Sequence, residues 1–142
     1  MIYYRDGYKY QLARDYTERF EALAGILDTP VVHAFFQIDP DGTVTIRASY
    51  AWDGLTGAID DVRSLRASLV HDVCCQAVAE GLAPIELRAA GDIVFREIMR
   101  ENGVPWPVVW WRFRAVTRYR QLVVARRLVR VAARAPKPLE AP

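Results

Sequence analysis

The chain has 142 residues, of which 52% are hydrophobic and 25% are charged. That length suits one domain of ordinary size, and the apolar content supplies a real core and excludes an intrinsically disordered chain. The longest apolar runs are too short to cross a bilayer, so an integral membrane protein is not expected. Cys74 and Cys75 are adjacent, so no disulfide partners are expected and synthesis in a reducing cytoplasm is indicated.

Charge is distributed unevenly along the chain. Residues 1–111 carry ten basic and sixteen acidic side chains, whereas residues 112–142 carry nine basic side chains against Glu140. An acidic body with an arginine-rich C-terminal segment indicates a negatively charged partner, either an anionic membrane, a nucleic acid or an acidic protein face. The alternative is a solvated helix face with salt bridges back to the body. The arginines expected to carry such binding are Arg120, Arg126, Arg127, Arg130 and Arg134.

Two hairpins are predicted in the first half of the chain. Residues 3–10 are rich in tyrosine around an Asp6-Gly7 turn, which is a strong short-range hairpin signal. Residues 31–38 are β-branched and aromatic, residues 39–42 form an Asp-Pro-Asp-Gly turn, and residues 43–50 alternate as they return. Residues 15–27 fit either a strand pair or a short helix, because their periodicity favours neither.

Three helices are predicted in the second half. The first begins at a cap formed by Asp60 or Asp61 and ends at Gly81, the second covers residues 84–102, and the third covers residues 108–134. Strands followed by helices predict an α+β fold, in which a small N-terminal antiparallel sheet of hairpins precedes a three-helix C-terminal half. We expect one domain over residues 1–135, divided into a β part at 1–57 and a helical part at 58–135, with a flexible Pro-rich tail at 136–142.

The loop at residues 50–57, between the sheet and the first helix, is a candidate calcium site. Gly54 and Gly57 let backbone carbonyls point inward, and Asp53 adds a carboxylate. Oxygen ligands in a flexible loop are what a hard cation such as calcium needs. The same Asp-Gly-x-x-Gly spacing is also typical of an ordinary turn, so both interpretations stay open.

His71 and Asp72 lie within an almost wholly apolar helix that is predicted to be buried. Burying a carboxylate without a partner is costly, so Asp72 needs a cation or a set of donors such as Arg63, Arg66 or a loop amide. His71 is expected to be neutral there and close to the pH range in which it accepts a proton. The alternative is a structural histidine that is hydrogen-bonded in the core.

Asp92 follows His71 by 21 residues, on the next predicted helix. Two antiparallel helices joined by a short turn could bring such side chains together. A carboxylate there would fix the histidine tautomer and stabilise its protonated form, as in a triad-type arrangement. The alternative is that Arg88 and Arg96, four residues to either side, hold Asp92 in surface ion pairs. Spacing alone leaves both interpretations open.

Other chemistries fit the sequence poorly. His33 is the only other histidine and lies in a predicted strand, so a histidine-rich metal site is not expected. Cys74 and Cys75 are interpreted as core residues rather than as a nucleophile or a redox pair. The chain has no phosphate-binding glycine loop and no dinucleotide fingerprint.

Several segments resemble, in order, a family of short phage and prophage proteins of unknown function. The similarity covers roughly residues 8–120, and its most specific pairing is Tyr50-Ala51-Trp52-Asp53-Gly54 followed by Ser68-Leu69-Val70-His71-Asp72. This resemblance implies a phage-encoded protein located in the host cytoplasm, with the virion as a further expected location. It implies no particular activity.

The layout of these segments is also similar, more remotely, to that of the secreted phospholipase A2 enzymes and above all of their small bacterial members. The similarity implies that His71 is the base that activates water, that Asp92 orients it, and that Ca²⁺ is the cofactor. It implies a calcium ligand set made of Asp72, Asp53, Trp52, Gly54 and Gly57. The chain departs from the pattern at Cys75, where an aromatic residue usually stands, and it lacks the disulfides that brace those enzymes.

Two functions are expected as alternatives. The favoured one is a non-catalytic virion component or assembly factor whose arginine-rich C-terminal helix binds phage structural proteins, a second copy of the chain, nucleic acid or a membrane. The other is a calcium-dependent, phospholipase A2-like lipid esterase that docks on an anionic membrane through the same helix. A sequence-specific DNA-binding protein is not expected, because no helix-turn-helix pattern is present.

Overall fold

A computed structural model of the chain describes residues 2, 4–5, 10–54 and 62–121. Within these ranges the strands come first and the helices follow, which confirms the predicted α+β class. The strands are β1 (Tyr4–Arg5), β2 (Tyr10–Leu12), β3 (Tyr16–Arg19), β4 (Val31–Val32), β5 (Phe36–Ile38), β6 (Thr43–Ile46) and β7 (Ala51–Trp52). The helices are α1 (Val62–Ala79), α2 (Ile85–Glu101) and α3 (Trp106–Tyr119), with a 3₁₀ turn at Glu21–Leu23.

The strands form two small antiparallel sheets rather than one. The first has the order β1-β2-β7 and the second the order β3-β6-β5-β4. The first predicted hairpin is confirmed as the β1–β2 pair, although its turn lies outside the described residues. The second is confirmed as the β5–β6 pair, in which Phe36 faces Ile46. Residues 15–27, which the sequence left open, contain both a strand and a short helical turn.

The strand predicted over residues 31–38 is not continuous. It divides into β4 and β5, which pair with each other so that Val31 faces Ile38. The division occurs because the chain turns at residues 33–35, where the His33 amide donates to the Phe36 carbonyl at 2.8 Å and the Phe35 amide donates to His33 Nδ1 at 3.2 Å. The hydrophobic run at residues 31–38 therefore forms a short hairpin rather than one strand, because hydrogen bonds among residues 33–36 stabilise a turn.

The β5–β6 turn contains a glycine, Gly42, at the point where the turn packs closely against the backbone of Phe20. Gly42 has a φ of +88°, and a Cβ at this position would lie 2.2 Å from the Phe20 carbonyl oxygen. The Phe20 amide in turn donates to the Gly42 carbonyl at 3.0 Å. Only glycine satisfies both the backbone conformation and this close approach.

The three helices lie close to their predicted positions. The α1 and α2 helices end before Gly81 and Gly103, which have positive φ values and form the expected C-terminal turns. The α3 helix begins at Trp106, two residues before the predicted start, because Pro107 falls in its first turn, where the lack of an amide hydrogen costs nothing. The remainder of the predicted third helix, the domain limit at residue 135 and the tail at 136–142 lie outside the described residues.

A single core joins the sheets to the helices. The α1 helix is buried along most of its length and packs against α2, which in turn contacts α3 and the 3₁₀ turn. Among the described residues, no helix is both long and apolar enough to span a membrane. The largest fully buried side chains of this core come from both halves of the chain: Leu12, Leu23, Phe36, Ile38, Ile46, Leu69, Leu87, Phe95, Ile98 and Met99.

Candidate functional site

A cavity of about 400 Å³ lies where α1, α2 and α3 meet the loop that follows β7. Its wall combines apolar groups from α2 and α3 with polar side chains from α1 and α2. This mixture is typical of a ligand site, in which apolar surface supplies affinity and a few polar groups fix orientation. The lining residues are Gly54, Ser68, His71, Asp72, Cys75, Arg88, Phe95, Ala115, Val116 and Tyr119.

The structure brings His71 and Asp92 together. The Nε2 atom of His71 lies 2.7 Å from Oδ1 of Asp92, and only 2% of the Asp92 side chain is exposed. This contact requires α1 and α2 to approach closely, and Gly91 permits it, since a Cβ at that position would lie 2.8 Å from Cys74 Cβ. The His71 ring also packs against Phe95, with ring centroids 5.3 Å apart. The histidine is thus held in one orientation at the cavity wall.

Asp92 has a second cationic partner that the sequence did not indicate. Nε of Arg120, the residue after α3, donates to Asp92 Oδ2 at 2.8 Å. The alternative that Arg88 and Arg96 hold Asp92 in surface ion pairs is wrong, because Asp92 is buried and its partners come from α1 and from the end of α3. Both carboxylate oxygens are therefore bonded to positively charged or protonatable groups.

The surroundings of His71 favour its protonated form. Burial disfavours the imidazolium, but the hydrogen bond to Asp92 and the contact with Cys75 outweigh it and raise the His71 pKa to about 10. Burial alone predicted a neutral imidazole, whereas a carboxylate of Asp92 beside the ring was expected to stabilise the protonated form, and the second effect is the larger one. With Nε2 donating to Asp92, the nitrogen left for other chemistry is Nδ1.

The two cysteines occupy different environments. Cys74 is fully buried, and burial raises the pKa of its thiol, so this residue belongs to the core as predicted. Cys75 instead lines the cavity, with its Sγ 3.7 Å from His71 Nδ1. Both thiols are free. Cys75, which replaces the usual aromatic side chain, therefore packs against the His71 ring, with its Sγ at similar distances from both ring nitrogens.

Asp72 faces the cavity from the next position on α1. Burial raises its pKa to about 6, and the nearby Asp53 carboxylate acts in the same direction, while the charges of His71 and Arg88 oppose them. The Asp53 backbone amide donates to the Asp72 carboxylate, so the expected loop amide is a partner of this residue. Arg63 and Arg66, the other expected partners, bond elsewhere.

Strand β7 and the residue before it are held against α1 by two side-chain hydrogen bonds. Trp52 Nε1 donates to Ser68 Oγ at 3.0 Å, and the Tyr50 hydroxyl donates to Gln76 Oε1 at 2.9 Å. Gly54, with a φ of +73°, lines the cavity. Gly54 and Asp72 line the cavity, Asp53 lies near enough to Asp72 to affect its pKa, and Trp52 bonds to the cavity residue Ser68. Gly57, the other predicted ligand, lies outside the described residues.

The donors at this end fit calcium better than a transition metal. Within the described ranges, no group of three or more His, Cys, Asp or Glu side chains is placed to hold a metal ion. A cation here would rely on the Asp72 and Asp53 carboxylates together with backbone carbonyls, which is the all-oxygen set that calcium accepts. Burial is the main cause of the raised Asp72 pKa and the nearby Asp53 carboxylate adds to it, so a bound cation would favour the ionised form of Asp72.

Two charged residues of the site were not among the predicted site residues. Arg88 was considered only as a partner of Asp92, and Arg120 only as part of a basic surface. Helical spacing is the sequence signal that could have identified Arg88 as a site residue. Arg88 lies four residues before Asp92, so both side chains occur on the same face of α2. No pattern within the sequence indicated that the end of α3 folds back onto α2.

The fold and the cavity define an α+β protein with a buried His–Asp pair at the wall of a ligand-sized cavity. The chain belongs to the family described as "Protein of unknown function (DUF1353)", whose model matches residues 32–116. That range includes His71, Asp72, Arg88 and Asp92. No curated protein and no solved structure matches the chain. Membership of a family of unknown function is thereby confirmed, while phage origin and the likeness to phospholipases stay predictions.

Proposed function

We propose that the cavity is a hydrolytic site for carboxylic esters of lipids, with calcium as a cofactor. The observation that carries the proposal is the 2.7 Å contact between His71 Nε2 and Asp92 Oδ1 at the wall of a cavity that Asp72 also lines. A histidine fixed by a buried carboxylate and adjacent to a ligand-sized space is the arrangement that proton transfer requires. The alternative of a histidine sealed within the core is disfavoured, because His71 lines this space.

In this proposal the chain's own residues position and move one proton. Asp92 fixes the imidazole through Nε2, which leaves Nδ1 to accept a proton from a water molecule. The oxygen of that water forms a bond to the ester carbonyl carbon, the bond to the alcohol oxygen breaks, and the proton passes from Nδ1 to the departing alcohol. The apolar side chains of Phe95, Val116 and Tyr119 line the cavity and provide surface for an acyl chain.

Asp72 and Asp53 are the side chains that would hold the calcium ion. A bound calcium ion would supply positive charge that polarises the ester carbonyl and favours the neutral form of the neighbouring imidazole. The Trp52–Gly54 segment is the part of the described loop whose carbonyls are near enough in sequence to Asp53 to complete the ligand set. Gly57 remains a proposed ligand.

The test is the release of fatty acid from vesicles of anionic phospholipid, with calcium or with a chelator. We expect calcium-dependent release by the wild type, and a loss of about 100-fold or more, on the order of what a general base contributes, in His71→Gln. The matched control is His33→Gln, because His33 stacks on Phe36 and pairs with Glu80 away from the cavity. Absence of release by folded wild type, or equal loss in both variants, would refute the proposal.

A non-catalytic role as a phage virion component or assembly factor is supported by a different observation. The outer face of α3 exposes Trp106, Trp110 and Trp111, and Val109 is its only buried residue among those described. Exposed tryptophans next to arginines are typical of contact surfaces, and Arg114 stacks over Trp110. The proposed partners are phage structural proteins or a second copy, with nucleic acid or an anionic membrane engaged by Arg126, Arg127, Arg130 and Arg134. Arg120, the other predicted contact, is bonded to Asp92 instead.

Light scattering of the purified chain tests the self-association arm of this second proposal. We expect an oligomer that Trp110→Ala combined with Trp111→Ala reduces to a monomer. Phe35→Ala is the control, because Phe35 is an exposed aromatic residue of the sheet region rather than of α3. A wild-type monomer at all concentrations, or an oligomer that the double variant leaves intact, would contradict self-association through this face.

A further inference from the structure

Arg88 is a buried cation at the cavity that the proposed reaction does not use. Its side chain lines the cavity, and the residue is only 8% exposed. Its Nε atom has no hydrogen-bond partner among the described residues. Arginine is rarely buried this deeply unless its guanidinium is paired, because removing the charge from water is costly.

The other cationic groups near the cavity already contact partners within the protein or do not line the cavity. His71 and Arg120 each bond to one oxygen of Asp92. Arg96, whose Nε also lacks a partner among the described residues, stacks over Phe113 and does not line the cavity. Arg88 is therefore the cationic side chain of the described cavity wall that remains available to a ligand.

The chemistry of the guanidinium selects the class of group that it binds. Its planar fork of N–H donors matches the oxygens of phosphate or carboxylate, and charged hydrogen bonds of this kind are strong in a site that excludes water. Asp72, whose pKa the Arg88 charge lowers, is near enough to feel that charge. A ligand that bridges the two ends of the cavity would thus place an anionic group at Arg88 and a polar ester group beside His71 and Asp72.

We propose that Arg88 binds the phosphate group of an amphiphilic ligand whose acyl part packs against Phe95, Val116 and Tyr119. This inference rests on the proposed function and deepens it, since it names the substrate class as acyl esters that carry a phosphate. The same phosphate chemistry is found in a lipid headgroup and in free inorganic phosphate. The alternative is that Arg88 only compensates the charge of Asp72 and never contacts a ligand.

The test is calorimetric titration with ligands that cannot be hydrolysed as carboxylic esters. Decylphosphocholine supplies a phosphodiester on an alkyl chain, decyl maltoside supplies the same chain without phosphate, and inorganic phosphate supplies the anion alone, with both amphiphiles kept below micelle formation. We expect the wild type to bind decylphosphocholine at least about tenfold more tightly than decyl maltoside, as one charged hydrogen-bonded contact provides. We expect Arg88→Gln to lose that preference.

Matched variants keep the outcome interpretable. Arg100→Gln is the control, because Arg100 is an exposed arginine of the same helix that stacks on Trp106 and does not line the cavity. Arg88→Lys retains the charge next to Asp72 but removes the fork, so we expect it to fold and to bind decylphosphocholine with intermediate affinity. If Arg88→Gln does not fold, wild-type affinity in Arg88→Lys overturns the proposal, because a purely compensating charge would behave in that way.

The remaining outcomes separate the two sources of phosphate and the two proposals. Binding of inorganic phosphate as tight as that of decylphosphocholine would overturn the amphiphilic ligand in favour of the free anion. Equal affinity of wild type and Arg88→Gln for decylphosphocholine would overturn the role of Arg88, even if His71-dependent hydrolysis is observed. Arg88-dependent binding without any hydrolysis of vesicles would support this inference and refute the hydrolytic function alone.

Discussion

Two acids on neighbouring helices, the buried Asp92 and the half-buried Asp72, are compensated in different ways. Asp92 bonds through one oxygen to His71 and through the other to Arg120, so its charge is balanced within the protein. Burial and the Asp53 carboxylate raise the pKa of Asp72 to about 6, although His71, Arg88 and the Asp53 backbone amide act in the opposite direction. We interpret Asp92 as the acid that maintains the structure of the site and propose Asp72 as the acid that would bind a cation.

The largest expected effect is on stability and follows from removing the charge of Asp92, the acid that is balanced within the protein. Asp92→Asn leaves the buried His71 and Arg120 without the charge that they share, and removing one partner of such a buried pair costs about 3–5 kcal/mol. We expect urea denaturation of this variant to show a loss of that order. The matched change Asp72→Asn is expected to leave the free energy of unfolding at neutral pH unchanged or increased. A similar loss in both variants would show that the two acids are equivalent.

The pH dependence of stability sharpens the same comparison. Because the Asp72 pKa is raised in the folded protein, from 3.8 to about 6, its contribution is present below pH 4 and is lost as pH rises through 6. The expected loss is about 3 kcal/mol. Denaturation of wild type and Asp72→Asn in chelator, from pH 4 to 7, measures it by difference, provided that both remain folded at pH 4. An identical dependence in the two proteins would contradict the raised pKa.

A smaller loss of stability is expected from a change at Gly91, where α1 and α2 pack closely and place His71 beside Asp92. Gly91→Ala introduces a Cβ that would lie 2.8 Å from Cys74 Cβ, so α1 and α2 must separate. Overpacking of this kind costs about 2 kcal/mol. Thermal unfolding of this variant and of Glu97→Ala, an exposed position on α2, measures the difference. Equal stability of the two variants would show that the close approach is not needed.

The smallest expected effect concerns the hydrogen bond between Trp52 and Ser68, which helps to place the neighbouring Asp53 near Asp72. Ser68→Ala removes the acceptor of the Trp52 indole N–H within the buried interface between β7 and α1. The expected loss is about 1 kcal/mol in the free energy of unfolding, together with weaker calcium binding. The control is Ser49→Ala, an exposed serine elsewhere in the fold, whose φ of +76° must be allowed for. Unchanged stability and affinity in Ser68→Ala would exclude this bond as a support of the loop.

Local signals in the sequence were sufficient for much of the fold. The Asp-Pro-Asp-Gly turn predicted the β5–β6 hairpin, and Gly81 and Gly103 marked the ends of α1 and α2 correctly. The division of residues 31–38 into two strands was not predictable from composition, because it depends on bonds between His33, Phe35 and Phe36 that form only when the chain turns. The pairing of distant strands into two sheets also depends on packing that no local pattern records.

The candidate site was predicted in part. Helical spacing correctly placed Asp92 near His71, since two helices joined by a short turn pack side by side. The sequence did not predict that Arg120 bonds to Asp92, nor which of the two opposing effects on the His71 pKa is larger, because both follow from the way the helices pack on α2. The sequence indicated a core position for Cys75, yet this residue faces the cavity, because one face of the largely buried α1 helix lines that space.

Calorimetric titration of calcium into chelator-stripped protein tests the central claim most directly, because that claim concerns the difference between the two acids. We expect the wild type to bind calcium, Asp72→Asn to lose that binding, and Asp28→Asn, an exposed acid remote in sequence from the site, to retain it. No binding by folded wild type, or equal binding by wild type and Asp72→Asn, would contradict the assignment of Asp72 as the acid that is available to a cation.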